Sequence, residues 1–277
     1  MTVIVKEDQS LNEVLSSNTT GETMVIVLPK DAVYREKVHC RADNIVVMGN
    51  GSRIVWGDHN GQTPGFGTAD SATLTVHSVN AVFQNLTVEN DFDYPSARVK
   101  QVEMAKKSGL QAVALYTAPE ADLVSFDHCT FLGYQDTLFT DARRALFLEC
   151  RIEGCVDFIF GASTADFHNC EIVSNGAGFV AAPSTRAETE SGLSFYDCNL
   201  TCTDNVADQM VFLARPWHPG GREGADPYAC FSDCKLGRHI NSNLWASMHD
   251  TFGRIHKPEE SRFIILDSKR RKADPCR

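Results

Sequence analysis

The chain has 277 residues, 43% hydrophobic and 22% charged, with a net charge of -10, which is the profile of a soluble globular protein able to bury a large core. This acidic balance excludes nucleic-acid binding through a basic face and gives no general pull toward a polyanion. No apolar run reaches the roughly 18 residues that a membrane helix needs.

The N-terminus, Met1 to Leu15, lacks the basic head and apolar core of a signal peptide. A cytoplasmic location is therefore expected, or a secreted one if the chain is a trimmed mature form. Residues 9–17 read as a short amphipathic helix with Ser10 at its cap, closing one end of whatever follows. Met24 to Leu28 reads as a strand.

Six later segments repeat one pattern: Phe83-Gln-Asn-Leu86-Thr-Val88, Phe126-Asp-His-Cys129-Thr-Phe131, Phe147-Leu-Glu-Cys150-Arg-Ile152, Phe167-His-Asn-Cys170-Glu-Ile172, Phe195-Tyr-Asp-Cys198-Asn-Leu200 and Phe231-Ser-Asp-Cys234-Lys-Leu236. A weaker copy lies at residues 44–47. The fourth positions are 43, 21, 20, 28 and 36 residues apart. A base period near 20 with insertions is the mark of a stacked solenoid. The alternation is that of strands, so the expected fold is all-β: a single-domain right-handed parallel β-helix over residues 1–277, with a short N-terminal helix cap and long loops lining a cleft. Residues 90–109 read as a long polar insertion and residues 215–228 as a Pro- and Gly-containing loop. Residues 250–277 read as irregular except for a strand at 262–266, and the basic run Lys269 to Lys272 reads as a solvated tail.

The repeat also accounts for half of the ten cysteines. Cys129, Cys150, Cys170, Cys198 and Cys234 occupy equivalent core positions, where a thiol acts as a small hydrophobe. The paired spacing of a zinc site is absent, so no metal is expected, and core thiols favour a reducing compartment.

Used as a ruler, the repeat pairs two acids. Asp136 follows Cys129 by seven residues, and Asp157 follows Cys150 by seven. Neighbouring rungs lie about 4.8 Å apart, so the two carboxyls should stack on one face. Like charges that close cannot both ionise easily, which splits such a pair into a carboxylate and an acid. Two turn-forming aspartates on a solvated loop would give the same spacing. Apolar neighbours, the amide of Gln135 and the cation Arg215 beside Pro216 favour a built site, and Trp217 offers either a core ring or a flat surface for a sugar.

The motifs Gly133-Tyr-Gln-Asp136-Thr-Leu138, Val156-Asp157-Phe-Ile-Phe160-Gly161 and Ala214-Arg215-Pro-Trp217, in that order, resemble the pectin methylesterase family. Supporting matches are residues 33–38, Thr68 with residues 71–73, and Gln111-Ala-Val-Ala-Leu115. The likeness spans roughly residues 24–266. It implies a right-handed parallel β-helix that removes methyl groups from methyl-esterified homogalacturonan or its oligosaccharides, with no cofactor, no nucleic acid and no membrane. It further implies that Asp157 is the nucleophile and Asp136 the general acid and base. Gln111 and Gln135 would stabilise the oxyanion, and Arg215 would orient Asp157. Thr68, Phe160 and Trp217 would contact substrate, as would Trp245, which stands in a Leu-Trp where the family has Gly-Trp. The segment after Trp217 is longer than the family's. Paired carboxylates on a β-helix also fit a polysaccharide-cleaving glycosidase, and the aromatics alone fit a non-catalytic acidic-glycan-binding protein.

Overall fold

The computed structural model describes residues 1–6, 8–103, 109–221 and 224–267. The basic run at 269–272 lies outside the described residues, as do Arg222 and Glu223. The core is a parallel β-helix of two long sheets. One has ten strands, from Thr2–Ile4 to Arg262–Leu266, and the other has thirteen. No helix among the described residues is long and apolar enough to cross a membrane.

The repeated hexad turns out to span a corner. Phe83, Phe126, Phe147, Phe167, Phe195 and Phe231 follow one another in register along the ten-stranded sheet. Their rings stack at 5.2, 5.0, 4.5, 4.6 and 4.4 Å, within the range of favourable aromatic pairs. The aliphatic sixth positions line up in the other sheet. Between them the polar third residue takes a left-handed conformation at every copy: Asn85, His128, Glu149, Asn169, Asp197 and Asp233 have φ of 49, 52, 50, 53, 53 and 56°. Asn, Asp and His accept this conformation more readily than most residues, whereas Glu149 pays for it.

The cysteine that follows the corner points into the core. Cys129, Cys150, Cys170 and Cys198 are at most 1% exposed. Each thiol donates to the carbonyl of the Phe one rung back, at 3.3 to 3.5 Å. All nine cysteines among the described residues are free.

Three expectations need correction. The N-terminal helix spans only Leu11–Val14. Ser10 stands at its cap position, but its hydroxyl donates to Glu36 Oε2 at 2.9 Å, and Glu36 Oε1 accepts the Leu11 N–H at 2.5 Å. A carboxylate from a distant turn thus does the capping. The insertion at 90–109 contains a helix, Tyr94–Glu103, with Pro95 in its first turn and no buried residue. The segment from 250 is not wholly irregular, because Met248–His249 and Ile255–His256 pair as a short antiparallel ribbon. The strand expected at 262–266 is present and pairs with Tyr228–Ser232.

Candidate active site

The strand Leu138–Thr140 pairs with Arg151–Gly161, joining Leu138 to Ile159 and Phe139 to Phe160. Two residues earlier the same register sets Asp136 beside Asp157, and the Asp136 N–H donates to the Val156 carbonyl at 3.0 Å. Both aspartates are left-handed, with φ of 64 and 50°, a conformation that Asp tolerates better than most residues. Their side chains are largely removed from water, with 8% and 7% exposure. A solvated turn does not fit these numbers.

Arg215 follows the strand Val211–Ala214 two rungs beyond Asp157, where its N–H donates to the Ala181 carbonyl at 3.0 Å. Its Nε and Nη2 donate to Asp157 Oδ1 and Oδ2 at 2.7 and 2.5 Å. The guanidinium also lies 3.9 Å from the centroid of the Phe179 ring. A planar fork on a planar carboxylate, backed by an aromatic face, fixes orientation as well as charge.

The two acids are therefore unequal. Burial pushes the Asp157 carboxyl up, and the hydrogen bonds and charge of Arg215 oppose that rise. Asp136 is held well above the usual carboxylate range by burial first and the charge of Asp157 second, with only weaker opposition from the Gln135 amide and Arg215. Asp157 is therefore the more readily ionised of the two, and Asp136 the one that holds its proton to higher pH.

Two amides flank them. The Ala112 N–H donates to the Gln135 carbonyl at 3.1 Å, which brings Gln111 and Gln135 onto neighbouring rungs. Gln111 Oε1 accepts from Asn60 Nδ2 at 3.0 Å, and the same Nδ2 lies 3.2 Å from Thr68 Oγ1. With its oxygen committed to Asn60, Gln111 keeps its Nε2 hydrogens for a ligand. Thr68 thus joins the site through Asn60, a residue in a loop with no sequence signal of its own.

Leu115, Leu138 and Ile159 belong to the interior core, so the alternate residues Tyr116, Phe139 and Phe160 face outward. Phe160 stacks on Phe139 at 4.3 Å, and Tyr116 stacks on Phe139 at 4.6 Å. Trp217 stands edge-on to Phe160 at 5.5 Å and to Phe139 at 6.1 Å. The result is an aromatic cluster beside the acids, in which Phe160 and Phe139 are buried and Tyr116 and Trp217 are half-buried over them. Sequence reasoning overlooked Phe139 and Tyr116, although Phe139 follows Asp136 by the same three residues that separate Phe160 from Asp157.

Trp245 is not part of this cluster. Its backbone bridges to Ala214, and its ring packs against Phe263 at 5.2 Å and Phe231 at 6.1 Å. It is half-buried and packs against the edge of the core. The other eight residues expected at the site cluster as described.

Comparison with known proteins agrees with this geometry. The family model described as Pectinesterase matches residues 6–253. Pectinesterase A of Dickeya chrysanthemi is 34% identical over 292 aligned positions, covering 95% of this chain and 80% of that protein. A crystal structure of a pectin methylesterase in complex with a hexasaccharide superposes with a TM-score of 0.85 at 30% identity, covering 95% of this chain and 87% of that one. The pectin methylesterase of Yersinia enterocolitica superposes with a TM-score of 0.83 at 30% identity, covering 93% and 89%. From the repeat, the site and these likenesses together, this chain belongs to the pectinesterase family.

Proposed function

We propose that the protein hydrolyses methyl esters of galacturonate in homogalacturonan or its oligosaccharides, releasing methanol, with Asp157 as nucleophile. The observation that carries the assignment is the two-pronged bond from Arg215 to Asp157. It keeps that carboxylate ionised and aimed, while Asp136 retains a proton.

In the first half-reaction an Asp157 oxygen attacks the ester carbonyl carbon at C6, and the carbonyl electrons move onto oxygen. The side-chain amides of Gln111 and Gln135 donate to that oxyanion. When the carbon–oxygen double bond reforms, the methoxy group leaves with the proton of Asp136 as methanol. Asp136, now a carboxylate, takes a proton from water. The resulting hydroxide attacks the acyl-enzyme, and Asp157 departs as a carboxylate. Thr68, Phe160 and Trp217, with Phe139 and Tyr116, line the sugar track.

The test is incubation with methyl-esterified pectin and oligogalacturonides. Methanol release with no new reducing ends is expected. New reducing ends without methanol would instead indicate a glycosidase, and binding without either product a non-catalytic protein. We further propose that residues 1–277 work as a single domain, and that the protein acts in the cytoplasm on short oligogalacturonides. The free thiols support the second reading. Recovery of the native protein in a secreted fraction would contradict it.

A further inference from the structure

Five strands of the thirteen-stranded sheet each set one residue on a single line. His39 pairs with Thr75, Thr75 with Tyr116, Tyr116 with Phe139, and Phe139 with Phe160. Four rungs of about 4.8 Å put His39 about 19 Å from Phe160 along the sheet. At that end the line opens into a cavity of about 520 Å³, lined by Lys37, His39, Phe66, Thr75, His77 and Tyr116 among others.

A chain of hydrogen bonds runs through this cavity. Glu120 Oε1 lies 2.5 Å from Nδ1 of His77, and Nε2 of His77 lies 3.2 Å from Nδ1 of His39. The carboxylate requires a hydrogen on Nδ1 of His77. Where His77 is neutral, its Nε2 accepts from Nδ1 of His39 and leaves Nε2 of His39 an acceptor; where His77 is the cation, the bond reverses and Nε2 of His39 carries the hydrogen and donates. That nitrogen has no hydrogen-bond partner among the described residues. Burial first, then Arg41, His77 and Lys37, hold the His39 pKa below its ordinary value and so favour the neutral ring. Lys37 is matched within the wall, bonded to Asp58 at 2.8 Å and to the Asp70 carbonyl, with its ammonium 4.9 Å from the centroid of the Phe66 ring. The cavity thus offers ring surfaces and one imidazole nitrogen for a hydroxyl, which can donate or accept, in line with the aromatic side chains beside the acids. That is the chemistry of a sugar unit.

We propose that this cavity is a distal subsite for one uronate unit of a galacturonide chain long enough to span four rungs, with a ring hydroxyl hydrogen-bonded to Nε2 of His39 while Asp157 reacts four rungs away. This rests on the esterase reading above and adds a second anchor for the longer oligogalacturonides as for the polymer.

The test compares wild type, His39→Ala and His39→Gln on methyl-esterified polygalacturonan and on a methyl-esterified trisaccharide too short to span four rungs. Loss of one hydrogen bond predicts a KM for the polymer raised about three- to tenfold in His39→Ala. Turnover of the trisaccharide should be unchanged, and His39→Gln, which keeps an acceptor, should recover most of the loss. Binding of the polymer to Asp157→Ala protein, with and without His39→Ala, reads the same contact calorimetrically and should weaken by a similar factor. An unchanged polymer KM and affinity, or equal losses on both substrates, would overturn the subsite. A wild type that released methanol from neither substrate would instead defeat the esterase reading.

Discussion

Arg215 bonds both oxygens of Asp157, at 2.7 and 2.5 Å, whereas it reaches Asp136 only through space. One guanidinium therefore breaks the symmetry of two acids that occupy the same position in successive turns. Without it, burial and mutual repulsion would leave no reason for either to be the one that ionises.

A bell-shaped pH dependence follows. In the proposed mechanism, turnover needs Asp157 ionised and Asp136 protonated. Activity should rise as pH climbs through the elevated pKa of Asp157 and fall as it passes the still higher pKa of Asp136. Methanol release measured across pH reads both limbs. In Arg215→Lys protein, which loses the fork, the acid limb should move to higher pH. An unmoved limb would mean that Arg215 does not set the ionisation of Asp157.

Asp157→Ala should abolish turnover, and Gln111→Ala and Gln135→Ala should each lower kcat by about a hundredfold with little change in KM, as for loss of an oxyanion donor. A loss confined to KM would make the amides binding groups only.

The same pKa shift makes Asp136 a cost to stability. Its folded-state pKa lies above its unfolded value, so the native state binds the proton more tightly. Its contribution is favourable at low pH and is lost as pH rises through the folded value. Asp136→Asn should therefore be inactive yet melt at higher temperature than wild type near neutral pH, with the gap closing in acid. Thermal unfolding at two pH values checks this.

Two further substitutions probe the solenoid. Phe147 is fully buried between Phe126 and Phe167, so Phe147→Ala should cost about 3–5 kcal/mol. Glu149 holds φ of 50° at an exposed corner, and its contact with His128 is solvated. Glu149→Gly should stabilise the protein by roughly 0.5–1 kcal/mol. Chemical denaturation measures both.

The solenoid is legible in the sequence because the six repeats assign nearly the same residue types to the same tasks: a Phe to the stack, a Cys (Leu86 in the first copy) to the inside of the corner, and an aliphatic residue (Phe131 in the second copy) to the second sheet. The acids are legible because they keep a constant distance from those markers. The corner itself leaves only a phase slip, because the apolar spacing widens from two residues to three between the Phe and the Cys, around the left-handed residue. The helix Tyr94–Glu103 escapes detection because it buries nothing and so carries no apolar stripe. Trp245 misleads because a tryptophan suits a sugar platform and a core equally, and only its bridge to Ala214 turns it inward. Asn60 owes its place to how a loop folds over Gln111, which local pattern does not encode.

The spacing of the corner cysteines has a consequence for how such a protein can vary. Cys129, Cys150 and Cys170 are 21 and 20 residues apart, against 43, 28 and 36 elsewhere. Length is added to turns that carry walls and withheld from the two turns that carry Asp136 and Asp157. A single residue inserted between those acids would shift one carboxyl along its strand and out from under Arg215. The track on either side can lengthen, shorten or acquire new walls without moving the reacting centre. The chain is free to change what it grips, and constrained in what it does to it.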